Sequence, residues 1–325
     1  MVERKINTIL KIISQSKEPI GSKDIADRLK DFGIDLSERT VRHHMKALDE
    51  KGLTQGKWKE GRVITEKGVE ELHDALVSDK VGFISARIET MSYKMDFDLD
   101  TKQGKVILNI GFLPVNKFVM AKQIMAEVYD HEETIPNLVA LAKEGQSLGG
   151  VEVPAGKVAF GTLCSINLNA VLIKSGIPVE SKFGGVLQIE DYKPLRFTDL
   201  ISYDGTTLDP VEIFIKSKMT NVRGVISSGS GRLMAGFREI PAIAVGKAEQ
   251  LLEKAQELRL GTAWLIGKPG QSLLGVPVGP ERVGLVFLAG LNPIAALEEA
   301  GIETQCKALT ALVDYQDLKS FWDVN

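Results

Sequence analysis

Residues 145–153 read GQSLGGVEV, and residues 270–278 read GQSLLGVPV. Two such similar phrases 125 residues apart decide how the chain divides. Extended without gaps, 145–177 and 270–302 agree at 14 of 33 positions, where unrelated stretches of average composition would agree at roughly two. The matches keep their order through Val158/Val283, Leu163/Leu288 and Asn167/Asn292 to Gly-Ile at 176–177 and 301–302. Asp-Tyr at 191–192 and 314–315 continues the echo, and Gly111-Phe112 and Gly236-Phe237 precede it. A unit of about 120 residues is written twice. Residues 82–205 and 206–325 are therefore expected to form two similar lobes of one domain, 81–325.

Each copy repeats one grammar. KVAFGTLC and RVGLVFLA are short apolar runs flanked by Gly and charge, as buried strands are. Asn167 and Asn292 follow as expected N-caps, Pro293 takes the first helical position of the second copy, and Gly176 and Gly301 stop the helices. SKFGGVLQIEDY is a further strand. Upstream, residues 93–113 alternate as a hairpin, Val119–Tyr129 is an amphipathic helix, and Gln250–Arg259 is its counterpart. The class is α+β, with the two lobes packed about a pseudo-twofold axis.

The first 80 residues differ. Ile6, Ile9, Leu10 and Ile13 make one amphipathic helix. GSKDIADRLKDFG makes a second, with Ser22 as the expected N-cap and Gly33 as its stop. SERTVRHHMKALDEKGL makes a third, capped by Ser37 and closed at Gly52. Helix, tight turn and helix is a helix-turn-helix. Val41, Met45 and Leu48 point one way on the third helix, and Arg39, Arg42, His43 and Lys46 the other. Ser37, Glu38 and Arg39 occupy the end that reaches base edges when such a helix enters a major groove. LTQGKWKEGRVITEKG then alternates as two strands around a basic turn with Lys57, Lys59 and Arg62, a wing placed to touch phosphate. Residues 1–80 thus read as a winged helix-turn-helix that binds duplex DNA, with a helix over Thr65–Leu76 and a join at Val77–Val81.

Charge alone would not have said so. Residues 37–62 hold seven basic and four acidic side chains in a chain of net charge −3. That excess is too small for strong sequence-blind binding, so an architectural DNA-coating protein is the poorer reading. No apolar run reaches the ~18 residues of a membrane span. Two cysteines at non-corresponding positions argue against a shared disulfide, and a reducing cytoplasm is the default.

No metal-ligand spacing occurs, and SSGSGR (227–232) lacks the Gly-Lys-Ser/Thr ending of a phosphate loop. Catalysis would rest on Cys164 as nucleophile, with only His131 outside the first module to serve it. A binding role fits better. GTLCSIN (161–167) leaves a buried strand and enters a helix, where amide N–H groups can seat a carboxylate. Thr162, Cys164 and Ser165 dress this turn in the first copy, while the second reads VFLAGLN. One differentiated turn in a doubled scaffold suggests a pocket, although Cys164 reads equally well as a small buried residue.

A winged helix followed by GQSLGGVEVPAGKVAFGTLCSINLNAVLIKSGIPVESKFGGVLQI, and later by AGFREIPA, resembles the archaeal nitrogen regulatory repressors called NrpR. The likeness covers the whole chain. It implies a homodimeric cytoplasmic repressor of nitrogen-assimilation genes on a twofold-symmetric operator, with 2-oxoglutarate as the inducer that releases DNA and no resident cofactor. Well-known members carry two tandem sensory domains, where this chain has one. On this resemblance Thr162, Cys164, Ser165 and Asn167 line the effector site, the helix N-terminus takes one carboxylate, and Arg223 or Arg238 takes the other.

Overall fold

The computed structural model describes residues 2–16, 18–57, 60–74, 83–131 and 135–324. They fall into two compact units, Met1–Gly82 and Phe83–Asn325. The first contains α1 (Val2–Ser14), α2 (Ser22–Lys30), α3 (Glu38–Glu50), β1 (Thr54–Lys57), β2 (Gly61–Ile64) and α4 (Glu66–Asp74). Ile9, Leu10 and Ile13 of α1, Ile25 and Leu29 of α2, and Val41, Met45 and Leu48 of α3 close a single apolar core. Gly52, at φ +72°, ends α3 in the left-handed region that glycine enters without strain. The chain then turns into the β1–β2 hairpin, paired from Thr54↔Ile64 to Lys57↔Gly61. This is a winged helix. Ser22 is not its cap: Gly21 holds the N-cap position, and the Ser22 hydroxyl donates instead to Glu38 Oε1 at 3.0 Å. The expected join at Val77–Val81 lies outside the described residues.

The second unit runs α5 (Ile84–Lys94), β3 (Lys105–Pro114), α6 (Phe118–His131), β4 (Leu138–Lys143), β5 (Ser147–Leu148), β6 (Val151–Glu152), β7 (Lys157–Leu163), α7 (Ile166–Lys174), β8 (Glu180–Glu190) and β9 (Lys193–Ser202). It continues with α8 (Pro210–Lys216), α9 (Val222–Ser228), β10 (Gly231–Pro241), α10 (Val245–Glu257), β11 (Leu265–Ile266), β12 (Arg282–Leu288), α11 (Asn292–Glu299), β13 (Gln305–Asp314) and β14 (Lys319–Ser320). The hairpin expected at 93–113 reduces to one bridge, Asp98↔Gln103. Tyr93 and Lys94 complete α5 instead, which leaves only 95–98 to face β3, and Asp98 accepts the Asp100 and Thr101 amides at the turn between them.

Two antiparallel five-stranded sheets result, ordered β13-β3-β7-β4-β14 and β11-β12-β10-β8-β9. The order β3-α6-β4-β7-α7-β8 matches β10-α10-β11-β12-α11-β13. The final strands are exchanged: β8 pairs with β10, the opening strand of the other copy, and β13 pairs with β3. The helices cross over likewise, α6 against α11 and α10 against α7. A cut between 205 and 206 would therefore run through both sheets. The copies are consecutive in sequence and interlocked in space.

GQSL marks the same tight hairpin twice, Leu148↔Val151 and Leu273↔Val276. The paired asparagines do not cap helices. Asn167 Oδ1 accepts the Ile107 amide at 2.7 Å, and its Nδ2 donates to the Ile107 and Cys164 carbonyls. Asn292 repeats this with Met234 and Ala289. Each side chain, fully buried, ties the start of a helix to the opening strand of its own copy. An amide supplies both the acceptor and the two donors that this bracket needs.

Candidate functional site

The strand-to-helix turn of the first copy, Cys164–Ser165–Ile166, and that of the second, Ala289–Gly290–Leu291, line one cleft. The cleft is narrow and opens to solvent. Their closeness depends on Gly290, where a Cβ would stand 2.0 Å from the Leu163 carbonyl oxygen. Asn109, Tyr203, Asp209, Arg238, Ala308 and Leu309 complete the lining that matters here.

Arg238 is the unusual member. It is 1% exposed, although arginine is almost never fully buried unless paired. Its Nε donates to Asn169 Oδ1 at 2.7 Å, its Nη2 donates to Ser165 Oγ at 3.0 Å, and its guanidinium lies 4.8 Å from the centre of the Phe287 ring. Nη1 has no partner, and no described carboxylate forms an ion pair with the group. Burial pulls its pKa down, the direction expected when a charge is held from water without a counter-charge. The backbone makes room for it. A register shift in the β10–β8 pairing falls between Phe237 and Arg238, and a Cβ on Gly236 would meet Nη1 at 2.2 Å. Bulges of this kind re-aim a side chain beside a site.

The other polar walls are also dry. Burial pushes the Cys164 thiol up to about 12, against small opposing pulls from the Ile166 amide and Arg238. A thiol held so firmly protonated is not a nucleophile at neutral pH. Burial, reinforced by the charge of Glu212, raises the Asp209 carboxyl to about 6, and its Oδ1 caps α8 by accepting the Val211 amide. Asn109 Oδ1 accepts the Leu309 amide, holding the bulged segment 308–310 of β13 against the cleft.

Of the residues named from sequence, Cys164, Ser165 and Arg238 meet here. Thr162 does not line the cleft; its hydroxyl is buried 3.5 Å from Asn109 Nδ2. Asn167 has its amide consumed by Ile107 and Cys164, so it positions the turn and offers nothing to a ligand. Arg223 sits in the first turn of α9, where its amide donates to Glu299 Oε2, and it does not line the cleft. Sequence reasoning missed Asn109, Tyr203 and Asp209. Asp209-Pro210 is legible as a helix start, yet nothing local says that this cap faces a pocket.

On the winged helix, Ser37 caps α3 by accepting the Thr40 amide at 3.2 Å. Glu38 holds Arg42 in an ion pair, and Lys46 lies 3.9 Å from Glu50. Arg62 differs from its expected role. Its Nε donates to Asp49 at 2.7 Å and its backbone bridges Ile20, so it clamps the wing to the helices. Arg39, His43 and Lys57 are exposed and form no ion pair among the described residues. Lys59 lies outside the described residues.

These features define a class: a winged-helix module carried with a doubled α+β unit whose cleft holds an unpaired cation. A family model described as NrpR regulatory domains NRD1 and 2 matches residues 81–320, and one for the Ribonuclease R winged-helix domain matches residues 7–72. The chain belongs to the NrpR family. It is 37% identical over 318 residues to the Global nitrogen regulator NrpRI of Methanosarcina mazei, with 98% of each chain covered. It is 33% identical over 311 residues to the Global nitrogen regulator NrpR of Methanococcus maripaludis, covering 96% of this chain and 54% of that one. It thus spans about half the length of the second relative. The crystal structure of a nitrogen repressor-like protein from Methanococcus jannaschii matches with a TM-score of 0.61 and 27% identity, over 74% of this chain and 99% of that one.

Proposed function

We propose that the chain is a transcriptional repressor of nitrogen-assimilation genes that binds duplex DNA as a homodimer and is released by a small dicarboxylate, 2-oxoglutarate. The observation that carries the effector half is Arg238, a buried guanidinium with an unpartnered Nη1 at the wall of a cleft. A buried cation without a counter-charge is costly unless a ligand supplies one. A carboxylate does so, and Arg238 with Ser165 offers it donors side by side. For DNA, the free basic side chains of α3 and the wing (Arg39, His43 and Lys57) carry the reading, together with Arg42 once Glu38 releases it. Two such modules read half-sites about one helical turn, or a multiple, apart. The effector must bind better to the state in which the modules are misplaced for DNA, because a ligand shifts an equilibrium only by its differential affinity.

Calorimetric titration of the full chain with 2-oxoglutarate, succinate and glutarate tests the effector, with Arg238→Met as the control. Fluorescence anisotropy on an operator duplex tests release. Binding to wild type but not to the variant, with release by the same ligand, supports the reading. A dicarboxylate that binds both proteins equally would place the effector elsewhere.

A further inference from the structure

The inference drawn here rests on the effector reading of the cleft and concerns Asp209. Two buried ionisable groups of opposite sign, Arg238 on β10 and Asp209 at the start of α8, line the same small space without forming an ion pair. Both line it together with Cys164, Ser165 and Ile166, at the turn that opens α7. No ion pair closes the cleft between them, so a ligand that enters it meets both groups.

Charge counting shows what that group requires. Arg238 contributes one positive charge. The N-termini of α7 and α11 both open on the cleft, through Ile166 and Leu291, and each supplies roughly half a charge. The sum, about +2, matches a dicarboxylate dianion. An ionised Asp209 leaves one negative charge in excess, in a place where like charges repel strongly. A protonated Asp209 removes the excess and turns a repelling acceptor into a donor.

We propose that Asp209 is a specificity-determining acid of the cleft, carrying a proton whenever a dianion sits against Arg238, so that each dicarboxylate bound brings one proton with it. The groups that face Asp209 fit this role. Glu212, on its own helix, opposes its ionisation, and Arg87 from α5 favours it. Tyr203 after β9 and Cys164 after β7 are held neutral by burial. Arg87 and Glu212 are themselves occupied, donating to the Ala308 carbonyl and accepting the Ala308 amide, so neither is free to neutralise a ligand. Near neutral pH the empty site leaves Asp209 largely ionised, since burial and Glu212 raise its carboxyl only to about 6. The proton therefore arrives with the ligand.

The test is calorimetry on the full chain with 2-oxoglutarate at pH 7.5, in two buffers of different ionisation enthalpy. Wild type takes up close to one proton per ligand, and its Kd rises about tenfold per pH unit between 7 and 8.5. Asp209→Asn keeps a carbonyl oxygen to cap α8, so the fold is preserved; it takes up no proton and its Kd is flat with pH. Glu212→Gln moves the onset of the pH dependence downward. Wild-type binding without proton uptake, or Asp209→Asn with undiminished uptake, overturns the assignment. Equal binding by Arg238→Met overturns the effector reading instead, and the absence of any dicarboxylate binding overturns both.

Discussion

Arg238→Met separates a residue kept for a ligand from one kept for the fold. The guanidinium gains two charge-assisted hydrogen bonds, each worth about 1.5–3 kcal/mol, to Asn169 and Ser165. It gains about 2 kcal/mol more from the Phe287 ring. Against this stand the desolvation of an ion, several kcal/mol, and an unpartnered Nη1 at about 1–3 kcal/mol. The terms nearly cancel. Methionine fills similar space with apolar surface, at about 2 kcal/mol of favourable burial, but leaves Asn169 Oδ1 without its donor. The variant's stability should fall within about 2 kcal/mol of wild type, whereas breaking a paired buried ion costs about 3–5 kcal/mol. In a unit of about 240 residues that window is roughly 4–8 °C in Tm. Ligand response should differ sharply. At a 2-oxoglutarate concentration of 100 Kd, wild type gains about 2.7 kcal/mol. Losing the guanidinium costs the complex about 2–5 kcal/mol, so the variant gains less than about 1 kcal/mol at that concentration. Thermal unfolding with and without ligand measures both. A destabilisation above about 3 kcal/mol without ligand, or a ligand shift equal to wild type, would refute the reasoning.

Asn167→Ala and Asn292→Ala each strand a buried strand amide and carbonyl, so each should lower stability by about 3–5 kcal/mol in urea titrations. Unequal losses would show that the two brackets are not equivalent. Arg39→Ala should weaken operator binding by about 1–3 kcal/mol and relax base preference, while Lys57→Ala should lower the salt slope by about one with preference intact; anisotropy across a salt series reads both. Arg62→Ala should act through lost stability of the winged helix, because its partner Asp49 is in the same module. Asp209 also sets a pH dependence of folding. Its folded carboxyl, raised to about 6 from 3.8, binds more protons than the unfolded one, so its contribution is fully present below about pH 4 and is lost as pH rises through 6. The loss is about 3 kcal/mol, and Asp209→Asn should remove it from the urea midpoints compared at pH 4.5 and 8.

Periodicity made the winged helix legible because each of its elements is decided by neighbours within one turn. Val41, Met45 and Leu48 announce their face by spacing, and Ser37 caps where a serine before a helix should. The doubling was legible because GQSL and the asparagines recur in register. Their role was not. An asparagine at a helix start looks like a cap, and only the tertiary packing of β3 and β10 reveals it as a bracket across a gap of about 60 residues. The exchange of β8 and β13 was equally hidden, since apolar strands carry no mark of which sheet they enter. In the cleft, Ser165 was legible with Thr162 and Cys164 from the contrast between GTLCSIN and VFLAGLN, while Arg238 was one of two candidate arginines, and nothing in the sequence chose it over Arg223. Asp209 and Asn109 did not stand out, being common residues at common turn and strand positions whose environment is set by the tertiary fold, by Leu309 for Asn109 and by Arg87 for Asp209.

One physical constraint explains why the two copies line a shared cleft unequally. The pseudo-symmetry brings two equivalent turns face to face, Cys164–Ser165 and Ala289–Gly290. Ser165 and Gly290 occupy the same place in the repeat, 125 residues apart. At Gly290 the Leu163 carbonyl approaches so closely that a Cβ would stand 2.0 Å from it, so the second copy has no room for a hydroxyl. The same logic holds on the strands. Gly236 and Gly111 correspond, and the space above Gly236 is filled by the Arg238 guanidinium, whereas that above Gly111 is filled by Ile294. Arg238 itself corresponds to Leu113, which is apolar and fully buried. Symmetric use of both halves would put two guanidinium groups and two hydroxyls into a cleft that accommodates one of each. Close approach at the pseudo-axis makes one copy the donor of space and the other the donor of the Ser165 hydroxyl, and Arg238 reaches that hydroxyl from the copy that gave up its own.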